Sequence, residues 1–406
     1  MKGAGEGGGG GVGGAGEGGG GGVRGAGEGG GVRGAGEGGG GGVAGDGRLG
    51  ACDTCVARSW LLARLTGQLE LVRGRVAAVL ELDDGELIEA VAAGQRDAVR
   101  AELAALEPAQ LRARSVRAGL ELICRCDTAY PAQLRELRSP PAVLHVAGGL
   151  ERLLALVAQD AVAIVGARRA TPYGLEVARS LGRALGCAGV TVLSGMALGI
   201  DAAAHAGALA GSGSTVAVLP AGADRPYPPA KREMHAQIRS GGAVVSELPP
   251  DSAVRRWTFP ARNRIIAALS AMTIVVEAGE RSGALLTAGF AQSLGRPVGA
   301  VPGRITSSQS TGPNGLLAAG ARIVRGPQDV LDALFGAGSR TAPARQRPPL
   351  EADLWRLLAA IGEGHDTAAA LARSGLSPAV GLAALAALEL GGYVRREPGG
   401  RFAIVP

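Results

Sequence analysis

Residues 259–291, FPARNRIIAALSAMTIVVEAGERSGALLTAGFA, decide the fold. A polar, basic cluster of Arg262, Asn263 and Arg264 stands just before an apolar run of helical character. A β-branched run, Thr273 to Val276, follows and ends in Glu277. After a loop, Ser282 and Gly283 open another helix, with Thr287 one turn in. This order, helix, buried strand, loop, helix start, is that of an α/β unit. Unpaired backbone N–H groups at such a helix start attract anions. Nearby arginines add fixed charge and forked donors. The stretch reads as one wall of a phosphate-binding crevice.

Working outward, the same alternation recurs. AVAIV (161–165), VTVL (190–193), TVAVL (215–219), AVVS (243–246), TIVV (273–276) and PVGAV (297–301) are short apolar runs with helical segments between them. The fold class expected is α/β, an extended Rossmann-like, doubly wound, mostly parallel sheet over 119–335. Ligands of such sheets bind at the carboxyl ends of the strands, at the switch point. Residues 119–150 lead in, with AVLHVAG as a short strand. Residues 51–118 have the pattern of a small helical bundle, of sterile-alpha-motif or helix-hairpin-helix type, and read as packing. Residues 336–350 read as a linker.

Residues 351–406 give three helices and a two-stranded wing around Pro398-Gly399-Gly400, a winged-helix pattern. Its third helix, SPAVGLAALAALEL, carries almost nothing that reaches phosphates or base edges, so protein contact or packing is expected of it. Residues 1–48 repeat GAGEGGG and have almost nothing to bury, so a flexible tail is expected.

Three further loops follow strands. IVGARRATPYG (164–174) offers Gly166 for close backbone approach, Arg168 and Arg169 for charge and Tyr173 for stacking; its spacing is not GxGxxG. LSGMALGIDAAAHAGAL (193–209) offers Ser194, Gly195 and Gly199. Asp201 there reads as a helix cap, and the Asp201/His205 pair, four residues apart, is a weaker acid–base alternative. LPAGADRPYPPAK (219–231) is a proline-held loop from which Tyr227 and Lys231 can reach the crevice. Arg262 and Arg264 either bind phosphate or pair with Glu247 or Glu277, and Glu277 reads as a holder of loop amides rather than a base.

Composition narrows the classes. The net charge of +6 mildly favours an acidic partner. Aromatics are 3%, so base stacking falls to a few residues such as Tyr173, Tyr227, Trp257 and Phe259. Five cysteines in 406 residues make no disulfide framework. Cys52/Cys55 and Cys124/Cys126 could together hold zinc. However, the pairs lie far apart for a structural site and no histidine is near, so reduced, unpaired thiols are expected and no metal or cofactor. No membrane-length apolar run or secretory signal is present, so a cytoplasmic protein is expected.

GARRATPYG, LSGMALGIDAAAH, FPARNRIIAALS, VVEAGERSGALLTA, AVPG and GPNGLLAAGA, in this order and spacing, resemble the DNA-processing protein A family, also called Smf. The likeness is strong over about 160–325, and the flanking helical and winged-helix segments fit the family's layout. It implies a homodimer that binds single-stranded DNA without sequence specificity, protects incoming DNA, and helps load the RecA recombinase in natural transformation. It implies no catalysis. The family's anion loop maps onto Gly166, Arg168 and Arg169, and its second phosphate loop onto Ser194, Gly195 and Gly199. Its basic motif maps onto Arg262, Asn263 and Arg264, and its helix start onto Ser282 and Gly283. Tyr173, Phe259 and Lys231 complete the expected DNA-binding set. Leu198 stands where the family usually has Arg, and Lys231 is placed to compensate. The rival readings are a phosphoribohydrolase-type enzyme, whose PGGxGTxxE motif lacks its Glu here, and a scaffold with a vestigial crevice.

Overall fold

The computed structural model describes residues 50–342, 350–373, 378–397 and 399–405. The tail expected over 1–48, and the 343–349 part of the expected linker, lie outside the described residues.

Nine strands form one sheet: β1 Glu121–Cys124, β2 Val143–Ala147, β3 Val162–Val165, β4 Val192–Ser194, β5 Thr215–Val218, β6 Ala243–Ser246, β7 Met272–Val275, β8 Val298–Ala300 and β9 Arg322–Ile323. Their order across the sheet is β1-β2-β6-β5-β4-β3-β7-β8-β9. From β6 to β9 every pairing is parallel. At the other edge β2 runs antiparallel to β6, and β1 antiparallel to β2. The central strands are short apolar runs because both faces are covered. Alternate side chains point to opposite faces. Ala163 and Val165 enter one core with the helices Leu150–Val157, Thr258–Ala268 and Gly283–Ser293. Val162 and Ile164 enter the other with Pro172–Cys187, Ile200–Ala210 and Pro327–Phe335.

From β3 the chain winds outward through β4, β5 and β6, then returns to place β7 on the opposite flank of β3. The loops after β3 and β7 therefore diverge, and a crevice opens between them.

Six α-helices, from Asp53–Arg64 to Pro108–Arg117, form a layer against the sheet's antiparallel edge and the start of the helix Thr258–Ala268. Trp257, considered above as a base-stacking residue, is fully buried in this layer instead. Its indole Nε1–H donates to Thr66 O at 3.0 Å and its backbone N–H to Glu70 Oε2 at 3.1 Å. Truncating such a side chain costs about 3–5 kcal/mol. A polar seam continues along β2. Ser59 Oγ lies 3.0 Å from His145 Nε2 and donates to Glu247 O at 3.2 Å.

The expectation that sequence distance separates the two cysteine pairs does not hold. The Sγ atoms of Cys52, Cys55, Cys124 and Cys126 all lie within 4.8 Å of one another. The first turn of the helix that begins beside Cys52 packs in one core with Leu122 and Cys124 of the edge strand, so the fold closes the gap.

The C-terminal segment has helices Ala352–Gly362, Ala368–Arg373 and Pro378–Leu390 and a hairpin of β10 Val394–Arg396 and β11 Phe402–Ile404. Leu385 and Leu388 of the third helix fill its core, whereas Leu382 is exposed. Among the described residues no helix is long and apolar enough to cross a membrane.

Candidate functional site

The crevice at the switch point encloses about 300 Å3. Gly166, Arg168, Phe259, Arg262, Asn263, Ser282 and Gly283 line it, all of them expected from sequence. Asp201, Ala197, Ala284 and Thr287 line it too.

The loops around it are tied to one another. Ala167 N–H donates to Glu277 O at 2.6 Å, and Ile200 N–H donates to Ala167 O at 3.2 Å. Gly199 makes the second contact possible, because it has φ +83 and a Cβ there would run into the carbonyl oxygens of Ala167 and Arg168. Thr171 donates its N–H to Glu277 Oε2 at 2.8 Å and its hydroxyl to Oε1 at 2.5 Å. Glu277 thus takes the structural role expected of it. At the opposite wall, Asn263 Nδ2 donates to Gly283 O at 3.1 Å, while Ser282 Oγ caps its helix by accepting from Ala284 N–H at 3.3 Å.

Arg262 is buried against Gly195, where a Cβ would coincide with its guanidinium. Its nearest carboxylate, Asp201 Oδ2, is 3.9 Å from NH1, and its buried Nε has no hydrogen-bond partner. Asp201 is occupied by backbone, accepting from Gly195 N–H at 3.2 Å. Burial raises the Asp201 carboxyl above its ordinary range, against the opposing pull of Arg262 and the loop amides. Burial pulls Arg262 down to about 10, with Asp201 opposing and Arg168 adding, so it remains charged at neutral pH. A buried cation with incomplete compensation faces the crevice. Above it, the exposed Arg168 guanidinium stacks 4.4 Å from the centroid of Phe259, whose ring lies 5.9 Å from that of Tyr227.

Other expected residues are placed elsewhere. The basic cluster lies within the helix Thr258–Ala268, not before it. Two residues turn a helix by about 200°, so Arg264 leaves the crevice for the far side. There its NH2 bonds both carboxylate oxygens of Glu247, at 2.5 and 2.7 Å, and it borders a second cleft with Arg58, Arg125 and Arg138. Its Nε and NH1 lack partners, yet its charge is matched at close range. Ser194 is fully buried and donates to Ile164 O at 2.6 Å, so it serves the sheet rather than the crevice. Gly195 and Gly199 shape the floor through the contacts above. Arg169 and Tyr173 are exposed outside the lining, and half-buried Lys231 also stands outside it.

The acid–base alternative is not formed. His205 Nδ1 lies 2.7 Å from Thr215 Oγ1, and among the described residues no hydrogen bond joins it to Asp201. Three residues beyond Thr287, where the phosphoribohydrolase motif needs Glu, Phe290 packs on the core. Sequence reasoning treated Asp201 as a cap, with acid–base work beside His205 as the weaker alternative, and did not place it in the crevice lining; its position in the first helical turn after Gly199 was the signal. Ala197 carried no signal.

Strand-end glycines, a buried arginine and a Ser-capped helix start meet here at the switch point of a Rossmann-like sheet. The sequence model described as DNA recombination-mediator protein A matches residues 121–335, and that described as DprA winged helix domain matches 341–400. The putative DNA processing protein DprA of Mycobacterium tuberculosis is 41% identical over 274 residues, 66% of this chain and 70% of that protein. Protein Smf of Synechocystis is 33% identical over 383 residues, 84% of this chain and 94% of that protein. The X-ray structure of DprA from Streptococcus pneumoniae superposes with a TM-score of 0.56 at 30% identity, covering 70% of this chain and 99% of that one. The chain belongs to the DprA/Smf family of DNA-processing proteins.

Proposed function

We propose that this protein binds single-stranded DNA without sequence preference through the switch-point crevice, and that it performs no catalytic step. The observation that carries the reading is the buried, incompletely compensated guanidinium of Arg262, set below exposed Arg168 and facing the Ser282–Gly283 helix start. Phosphates tracking over these groups complete the electrostatics, and phosphate contacts carry no base information. Bases placed on Phe259 and Tyr227 stack whatever their identity, and a single strand exposes the faces that a duplex hides. Arg169, Tyr173 and Lys231 extend the track at its rim. Protection of incoming strands, RecA loading in transformation and recombination, action as a homodimer and a cytoplasmic location follow from the family resemblance. The relatives named as DNA processing proteins support the same role.

Fluorescence anisotropy of labelled oligonucleotides tests this. Single strands should bind tighter than duplex, with similar affinity for several sequences. Log affinity should fall against log salt with a slope of about −1.5 to −3, as two to four phosphate contacts require. A flat salt response, or no binding, sinks the reading. No free base should be released from nucleoside monophosphates.

A further inference from the structure

The cysteine cluster lies away from the crevice, at the antiparallel edge of the sheet. Cys52 precedes the helix Asp53–Arg64 and Cys55 lies in its first turn. Cys124 ends β1, and a turn closed by Asp127 N–H to Cys124 O at 2.9 Å carries Cys126 back beside it. Residues 71 positions apart are thereby brought together, with Cys55 Sγ 3.7 Å from Cys126 Sγ. None of the four is in a disulfide.

We propose that Cys52, Cys55, Cys124 and Cys126 bind one zinc ion as a structural tetrathiolate site that ties the first helix to the sheet edge. The spacing of the thiols carries the argument. Zn–S bonds of about 2.3 Å in a tetrahedron put sulfurs about 3.8 Å apart. The observed separations, all within 4.8 Å, bracket that value. An iron–sulfur cluster places two or more irons and bridging sulfides between its cysteines and so spreads them more widely than a single ion does.

The surroundings fit as well. Cys52 N–H donates to Cys124 Sγ at 3.4 Å, the kind of amide contact that steadies a ligating thiolate. Cys52 also sits at a helix N-terminus, where negative charge is favoured. Arg112 pins the preceding turn through Ala51 O at 3.1 Å and Asp53 Oδ1 at 2.6 Å. Ala51, Val56, Leu122, Ala142 and Val143 close an apolar shell behind the site, while Cys52 and Cys126 face solvent and leave a route for the ion. Binding exchanges four thiol protons for one Zn2+, giving a site of net charge −2. With all four positions filled by protein, no coordination site is left for substrate, so the role is structural.

The test is the metal content of the full-length protein, purified without metal affinity resin and measured by elemental analysis. One zinc per chain is expected, with cobalt exchange giving the visible bands of a tetrahedral thiolate site. Cys52→Ser with Cys126→Ser should lower zinc at least tenfold, whereas Cys187→Ser, outside the cluster, should keep it. The wild-type measurement does not depend on the variants folding. Folded wild-type protein with free thiols and no zinc, cysteines joined as disulfides, iron in place of zinc, or zinc that survives the double substitution would each overturn the proposal.

Discussion

Arg262 and Arg264 stand two residues apart on one helix and serve opposite sides of the molecule. Arg262 faces the crevice, and its nearest carboxylate, Asp201, is 3.9 Å away. Arg264 faces the seam with the helical layer and is matched by Glu247 at 2.5 Å. The two are equally buried, so burial does not separate them. What separates them is whether the protein already supplies the counter-charge. A closely matched arginine ties two elements together; on the proposed reading, one paired only at 3.9 Å beside a crevice has charge left for a phosphate.

The largest effect that would break this contrast is on the seam. Glu247→Ala strands a buried guanidinium and should cost about 3–5 kcal/mol of stability. Urea unfolding measures it, and the folded fraction should keep its DNA affinity within about twofold. Arg264→Ala should behave likewise; a selective loss of DNA binding would place Arg264 back in the interface.

Acid should weaken both regions together. Burial pulls His145, on the seam, and His205, behind the crevice, down to about 3 from an ordinary 6.5. A depressed folded-state value means that the stability is present above pH 6.5 and is lost as pH falls towards 3. Each histidine should cost about 2 kcal/mol between pH 6.5 and 5. The raised Asp201 carboxyl acts in the opposite sense, favouring the folded state at low pH, with that contribution lost as pH rises through its folded value. Denaturant curves at several pH values check this, and His145→Asn and His205→Asn should each remove one share of the slope.

Arg262→Ala should weaken single-strand binding by about 1–2 kcal/mol on every sequence and lower the salt slope by about 1. Gel-shift titrations on several oligonucleotides read both; a sequence-selective loss would contradict a phosphate role. The smallest effect sharpens the contrast from the other direction. Leu198 is exposed in the loop after β4, at the position where the family usually has Arg. Leu198→Arg should tighten binding about threefold to tenfold and steepen the salt response, with stability changed by less than about 0.5 kcal/mol.

Much of the fold was legible because short apolar runs and helical periods are local properties. Seven strands were visible as such runs, from AVLHVAG to PVGAV. β9 was not, because two exposed residues carry no pattern, and neither was β1, four residues hidden in a lead-in segment. The crevice was legible through its loops, because glycines and arginines after strands announce close approach and charge. Ser194 looked like a phosphate ligand by the same rule, yet it turned inward to bond β3.

The sequence alone determined the layers, the succession of strands and helices, and the strand ends at which the site loops would gather, since each depends on residues within a few positions of one another. Tertiary structure decided which arginine faces the crevice, that Trp257 anchors the helical layer instead of standing exposed, and that four distant cysteines share one corner. Those outcomes depend on helix rotation against the sheet and on the antiparallel pairing of β1 with β2 and β2 with β6. Contacts of that kind join residues dozens of positions apart, and no local pattern encodes them.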